Sequence, residues 1–178
     1  MKKMLFLLPL LVLATQFSAA QFDIHRLTAG IVGTEVITQD TDHKLSAIDH
    51  PVGIGGLLGY QVSNTVALGL TMQYANGNLP NGAGTEKDLR GSLSLFVYPI
   101  SFAQLHPYFS AGLVSTYKTT TPTAAAEKNE TLWHGRFGIG AEYPVLPMVS
   151  LALDFGAYND GMRFMAMGSS LGLRYTMQ

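Results

Sequence analysis

Five charged residues stand inside stretches that are otherwise apolar or small: Arg90, Arg136, Glu142, Asp154 and Arg174. Three cations and two carboxylates brought to one place can pair with one another, line an ion path or hold a gate. His134 adds a group that accepts and returns a proton near neutral pH. A second set, Asp40, Asp42, His43, Asp49 and His50, mixes carboxylates with imidazoles and so suits a divalent cation. Its spacing matches no rigid site, and a flexible loop loses entropy when it closes on a metal. A solvated acidic loop is expected there, with no metal and no cofactor. The run Gly53-Ile-Gly-Gly-Leu-Leu-Gly has the glycine density of a phosphate-binding loop, but no helical segment follows it. Its glycines are read as thinning or curving a strand.

The elements that must position these groups repeat every two residues. Val66, Leu68, Leu70, Met72 and Tyr74 alternate with Thr65, Ala67, Gly69, Thr71 and Gln73. Such a segment is a strand with one apolar face. Segments of this kind lie near 23–35, 52–62, 65–76, 88–98, 107–119, 131–143, 149–158 and 163–175, which predicts eight strands. The intervening stretches 36–51, 77–87 and 119–130 are long and polar and read as loops, and Ser63-Asn64 is a two-residue hairpin turn. Pro144 to Met148 reads as another short turn, while Pro99 to His106 is long for a turn and 159–162 short for a loop.

Composition says which face meets what. Of the 178 residues only 13% are charged, 47% are hydrophobic, 19 are glycine and none is cysteine. Ordinary soluble domains carry about 25% charge. The net charge of −1 and the lack of a basic cluster exclude a nucleic-acid partner. A soluble sandwich needs a well-charged face opposite its core, and here that face is mainly Gly, Ala, Ser and Thr. The five strand charges suit a narrow, packed lumen in which opposite charges pair. The apolar side then faces lipid, where only a closed barrel or a helix satisfies its backbone. An eight-stranded antiparallel up-and-down transmembrane β-barrel is therefore predicted.

Rings on the outward parity are the expected aromatic girdle: Tyr60, Tyr74, Phe109, Tyr117, Trp133, Tyr143 and Tyr175. Eight to ten residues of tilted strand, as from Phe109 to Tyr117 or Trp133 to Tyr143, span roughly 21–26 Å, the height of the apolar band. Tyr98, Tyr108, Tyr158 and Phe164 count onto the lumen parity, so they are expected to lie beyond the bilayer or beside a register shift. At the start of the chain, Lys2-Lys3, the apolar run Met4 to Leu13 and Ser18-Ala19-Ala20 make residues 1–20 a predicted signal peptide, leaving 21–178 as the barrel.

Pro107-Tyr-Phe-Ser-Ala-Gly-Leu-Val, Phe137-Gly-Ile-Gly-Ala-Glu-Tyr-Pro, Val149-Ser-Leu-Ala-Leu-Asp-Phe and Ser169-Ser-Leu-Gly-Leu-Arg-Tyr carry a resemblance. In these phrases the chain resembles the small eight-stranded outer-membrane barrels of Gram-negative bacteria, the outer membrane protein A-like class. The resemblance implies an outer-membrane location and contact with its lipid and lipopolysaccharide. It also implies recognition of the C-terminal strand around Tyr175 by the barrel-assembly machinery. No peptidoglycan-binding domain follows in the sequence, so no tether of that kind is expected. Some barrels of this size are lipid-modifying enzymes with a serine nucleophile and a histidine base on the lipid-facing rim. His134 is instead on the lumen parity, with Leu132 and Arg136 two residues away, so no catalytic residue is expected. The expected role is structural or surface-interacting, through loops whose extracellular partner the sequence does not name. A narrow pore, a lipid-modifying enzyme and a soluble periplasmic ligand barrel are the alternatives.

Overall fold

A computed structural model describes residues 23–38, 52–79, 82–100, 102–160 and 163–177. The predicted signal peptide and the acidic loop carrying Asp40, Asp42, His43, Asp49 and His50 lie outside them. Eight strands follow in order: β1 (Leu27–Thr38), β2 (Val52–Ser63), β3 (Val66–Asn78), β4 (Gly84–Val97), β5 (His106–Pro122), β6 (Lys128–Leu146), β7 (Val149–Asp160) and β8 (Arg163–Thr176). Each pairs antiparallel with its sequence neighbour, and β1 pairs with β8, from Thr28↔Thr176 to Thr38↔Ala166, to close the barrel. Closure gives every strand a partner on both sides, the condition for backbone in a medium with no water to bond.

The period-two pattern is an inside-out one. Ile54, Leu70, Leu93, Leu113, Ile139, Phe155 and Leu171 are exposed on the outer surface, while Thr34, Ser94, Ser110, Thr116 and Ser150 are buried inside. Of the seven predicted girdle rings, Tyr74, Phe109, Tyr117, Trp133, Tyr143 and Tyr175 are exposed on the outer surface, whereas Tyr60 is half-buried near the end of β2 and accepts from the Asp23 backbone N–H; Tyr74 and Tyr117 flank Leu89 in register.

The structure corrects four readings. The first strand begins at Leu27, because Ile24–Arg26 forms a 3-10 turn that Arg26 pins by donating to the Val62 carbonyl at 3.1 Å. The stretches 77–87 and 119–130 are mostly strand rather than loop: β3 runs to Asn78, β4 starts at Gly84, β5 ends at Pro122 and β6 starts at Lys128. β-Branched threonines support this extension, and both faces carry polar residues there, water-facing outside and ion-paired inside, so the alternation that marks a strand fades. Tyr98, Tyr108 and Tyr158 do not leave the barrel; Tyr108 and Tyr158 are buried inside it. A register shift does follow Tyr158, where Asn159 pairs with Phe164; the Phe164 side chain is outside the described set.

β5 and β6, at 17 and 19 residues, are the longest strands. They rise with the ends of β3 and β4 into a sheet above the Tyr74–Leu89–Tyr117 row. β7 pairs with β6 only from Gly135 onward, so among the described residues Lys128–His134 has a partner on the β5 side alone.

Candidate functional site

Alternation within each strand sends every second side chain into the lumen, which fills in three tiers. In the outer tier, the Arg90 Nη2 donates to Asp88 Oδ2 at 2.8 Å, and Lys118 Nζ lies 3.9 Å from Glu86 Oε2. Glu86 and Asp88 are almost wholly buried. Below them Val114, Tyr158 and Ala166 form an apolar cluster, with buried His134 opposite Val114 in register.

In the middle tier Arg136 is ion-paired with Asp154. Ser110 bridges them, donating to Asp154 Oδ2 at 3.4 Å and accepting from Arg136 Nη1 at 3.1 Å. The guanidinium also lies over the Tyr158 ring at 5.8 Å. Glycine makes room for it: a Cβ on Gly156 would stand 2.6 Å from Arg136.

The inner tier joins Arg174 to Glu142 at 2.8 Å. The Tyr98 hydroxyl accepts from Arg174 and donates to Glu142, both at 3.2 Å, while Ser150 donates to the second Glu142 oxygen. Arg174 Cζ is 5.2 Å from the Phe96 ring and 5.5 Å from the Tyr108 ring, which meet edge to face at 5.4 Å. This layer fits because the lumen positions facing the rings are small. A Cβ on Gly69 would stand 2.6 Å from Phe96, and one on Gly140 the same distance from the Tyr108 hydroxyl.

The five residues singled out from sequence all face the lumen, but not as one network. Arg136 meets Asp154 and Arg174 meets Glu142, whereas Arg90 binds Asp88, outside the predicted set. Glu86, Lys118 and Tyr98 were also missed as partners. Spacing could have found Asp88, because opposite charges two residues apart share a strand face. Glu86 and Lys118 fell at the rims of stretches read as loops. The register partner of buried His134 on β5 is Val114.

A cavity of about 60 Å³ runs alongside the tiers and touches Arg90 of the outer, Arg136 and Asp154 of the middle and Arg174 of the inner one. A wider vestibule of about 350 Å³ adjoins the inner tier and is lined by Arg26, Gln61, Asn64, His106, Glu142 and Arg174. The Arg174–Phe96 stack walls one space from the other.

A closed barrel with an apolar exterior and an ion-paired polar interior defines a transmembrane β-barrel. The chain belongs to the outer membrane protein beta-barrel domain family, whose model matches residues 5–176. Its place is the bacterial outer membrane. No curated protein matches it. Among solved structures it is similar to neisserial surface protein A, at 13% identity and a TM-score of 0.68, covering 85% of this chain and 97% of that one. The N-terminal barrel of Pseudomonas aeruginosa OprF gives 16% identity and a TM-score of 0.60, covering 83% and 97%. Ail, the attachment invasion locus protein of Yersinia pestis, gives 11% and 0.58, covering 84% and 96%. At these identities the likeness is one of fold.

Proposed function

We propose that the protein is a non-conducting, non-enzymatic barrel that holds a surface-exposed sheet and its loops rigidly above the outer membrane, after removal of residues 1–20. The reading rests on the filled lumen: beside the salt-bridged tiers the cavity is only about 60 Å³, room for a few waters. The Arg174 layer with Phe96 and Tyr108 supplies the barrier on the vestibule side. The projecting ends of β4, β5 and β6 supply the display surface, and binding residues concentrate on such segments when a rigid scaffold carries them. Contacts with lipopolysaccharide and with the barrel-assembly machinery belong to the same proposal.

In planar bilayers the purified barrel is expected to give no steady single-channel current, and Arg174→Ala is expected to join the vestibule to the inner cavity without producing one, because the Arg136–Asp154 and Arg90–Asp88 tiers still fill the lumen. Steady conductance from the unaltered protein would instead establish the narrow-pore reading. The proposed girdle has its own test, because Trp133 is the single tryptophan and is exposed on the outer surface. Its fluorescence is expected to be quenched most by lipids brominated near the headgroup and least by those brominated at the chain end, the signature of a ring at the interface.

A further inference from the structure

Of the six asparagines in the chain, one stands in an Asn-x-Ser/Thr triplet: Asn129-Glu130-Thr131. That triplet is the acceptor motif for N-linked sugar on exported proteins. The other five asparagines have no hydroxyl two residues on. The bacterial form of the motif adds an acidic residue two positions before the asparagine, and Glu127 fills that place.

The structure brings the three motif groups to one accessible face. Residues 127–131 are exposed throughout. Strand alternation sends Asn129 and Thr131 to the same outward side, while Glu130 between them pairs with Lys128 on the other. The Glu127 carboxylate shares the outward side, since it accepts from the Asn129 amide at 3.4 Å. Thr119, opposite Asn129 in register, donates to the amide oxygen at 2.9 Å. Asn129 lies four residues beyond Trp133 on β6, roughly 10 Å higher at the usual strand rise and tilt. It therefore clears the aromatic boundary and stands where a hydrated sugar meets water rather than hydrocarbon. Among the described residues, β6 has no partner on its other flank from Lys128 to His134, so bulk added there displaces no strand.

We propose that Asn129 is an acceptor for N-linked glycosylation and that the projecting end of β6 carries an oligosaccharide. In the step, Asn129 Nδ2 bonds to the anomeric carbon of a lipid-diphosphate-linked oligosaccharide. The bond from that carbon to the diphosphate oxygen breaks, the lipid diphosphate leaves with the electron pair, and the amide gives up one proton. A periplasmic transferase acts on the exported chain before β6 pairs, while the amide is free of Thr119. The product amide keeps its carbonyl oxygen and one hydrogen, so the contacts with Thr119 and Glu127 both survive in the finished sheet. Transfer rests only on the proposed export of the chain, whereas display of the sugar outside the cell rests also on the proposed orientation, in which the long ends of β4–β6 point outward.

The test is mass spectrometry of the full barrel purified from the outer membranes of its own cells. The tryptic peptide that ends at Arg136 is expected to be heavier by an oligosaccharide and to release sugar fragment ions. Asn129→Gln and Thr131→Ala are each expected to abolish the added mass, Thr131→Ser to keep it, and Glu127→Gln to lower the fraction of chains that carry it. Asn64→Gln, outside the motif, is expected to leave the sugar in place, and heat-modifiable gel mobility checks that each variant is folded. An unmodified peptide in the unaltered protein overturns the inference. So does a sugar that survives Asn129→Gln, which would place it on a threonine hydroxyl instead. Mild periodate oxidation and a membrane-impermeant hydrazide then locate the sugar on the purified barrel. Label gained on intact cells upholds the outward display, and label gained only after lysis keeps Asn129 as the acceptor and overturns the orientation.

Discussion

Leu113→Arg is expected to lower the stability of the inserted barrel by about 2–4 kcal/mol, the cost of an arginine on the lipid face at mid-depth. Leu113 sits on β5 four residues from Phe109 on one side and from Tyr117 on the other, with Leu93 beside it in register. It is 63% exposed, so a water-facing reading of this surface would make the same substitution nearly neutral, within about 0.5 kcal/mol. Sign and size therefore separate the two environments. Urea unfolding in phosphatidylcholine vesicles, followed by Trp133 fluorescence, measures the difference, and a neutral outcome would sink the inside-out assignment of the faces.

Asp154→Leu is expected to cost about 3–5 kcal/mol, because it strands the Arg136 guanidinium in a site closed to solvent. Asp154 and Arg136 side chains are only 7% and 12% exposed, so solvent screens little of the loss. Ser110 and the Tyr158 ring remain near the guanidinium, but neither carries a countercharge. The double variant Asp154→Leu/Arg136→Met should recover most of the loss, since apolar groups of similar volume replace buried ion pairs at little net cost. The same urea titration reads both proteins. If the double variant were as unstable as the single one, the middle tier would be held by shape rather than by charge pairing.

How far the sequence could be read depends on what each residue faces. The alternation from Val66 to Tyr74 survives as written in β3, because one side meets lipid and the other a narrow lumen, and each environment constrains residue type. Above the Tyr74–Leu89–Tyr117 row both sides of β4 and β5 are polar, exposed at Thr85 and Lys87 outside and ion-paired at Glu86 and Lys118 inside. Thr85, Lys87, Thr119 and Thr121 then show no periodicity, and a hydrogen-bonded sheet looks like a loop. The lumen charges were legible by parity, but their pairing was not, since partners come from the register between strands. Arg90 finds Asp88 on its own strand, whereas Arg174 finds Glu142 across the lumen. Tyr98 and Tyr108 counted correctly onto the inner face. Their role was missed because an aromatic ring in the lumen makes sense only once Arg174 is known to stack on it.

The β1–β8 seam bears on the order in which the barrel forms. Every other pairing joins strands that follow one another in sequence, whereas the seam brings Thr28 within 3.3 Å of Thr176, 148 positions away. Hairpins between neighbours close short loops, but the seam must close nearly the whole chain and carries the largest entropic penalty. It is thus the natural final step. Until it forms, the sheet has two bare edges whose donors and acceptors are open to any passing strand. Changes confined to Ala29, Ile31, Leu171 or Leu173 would then show in the rate of closure, and in the fraction of chains lost to misassociation, more than in the properties of the finished barrel.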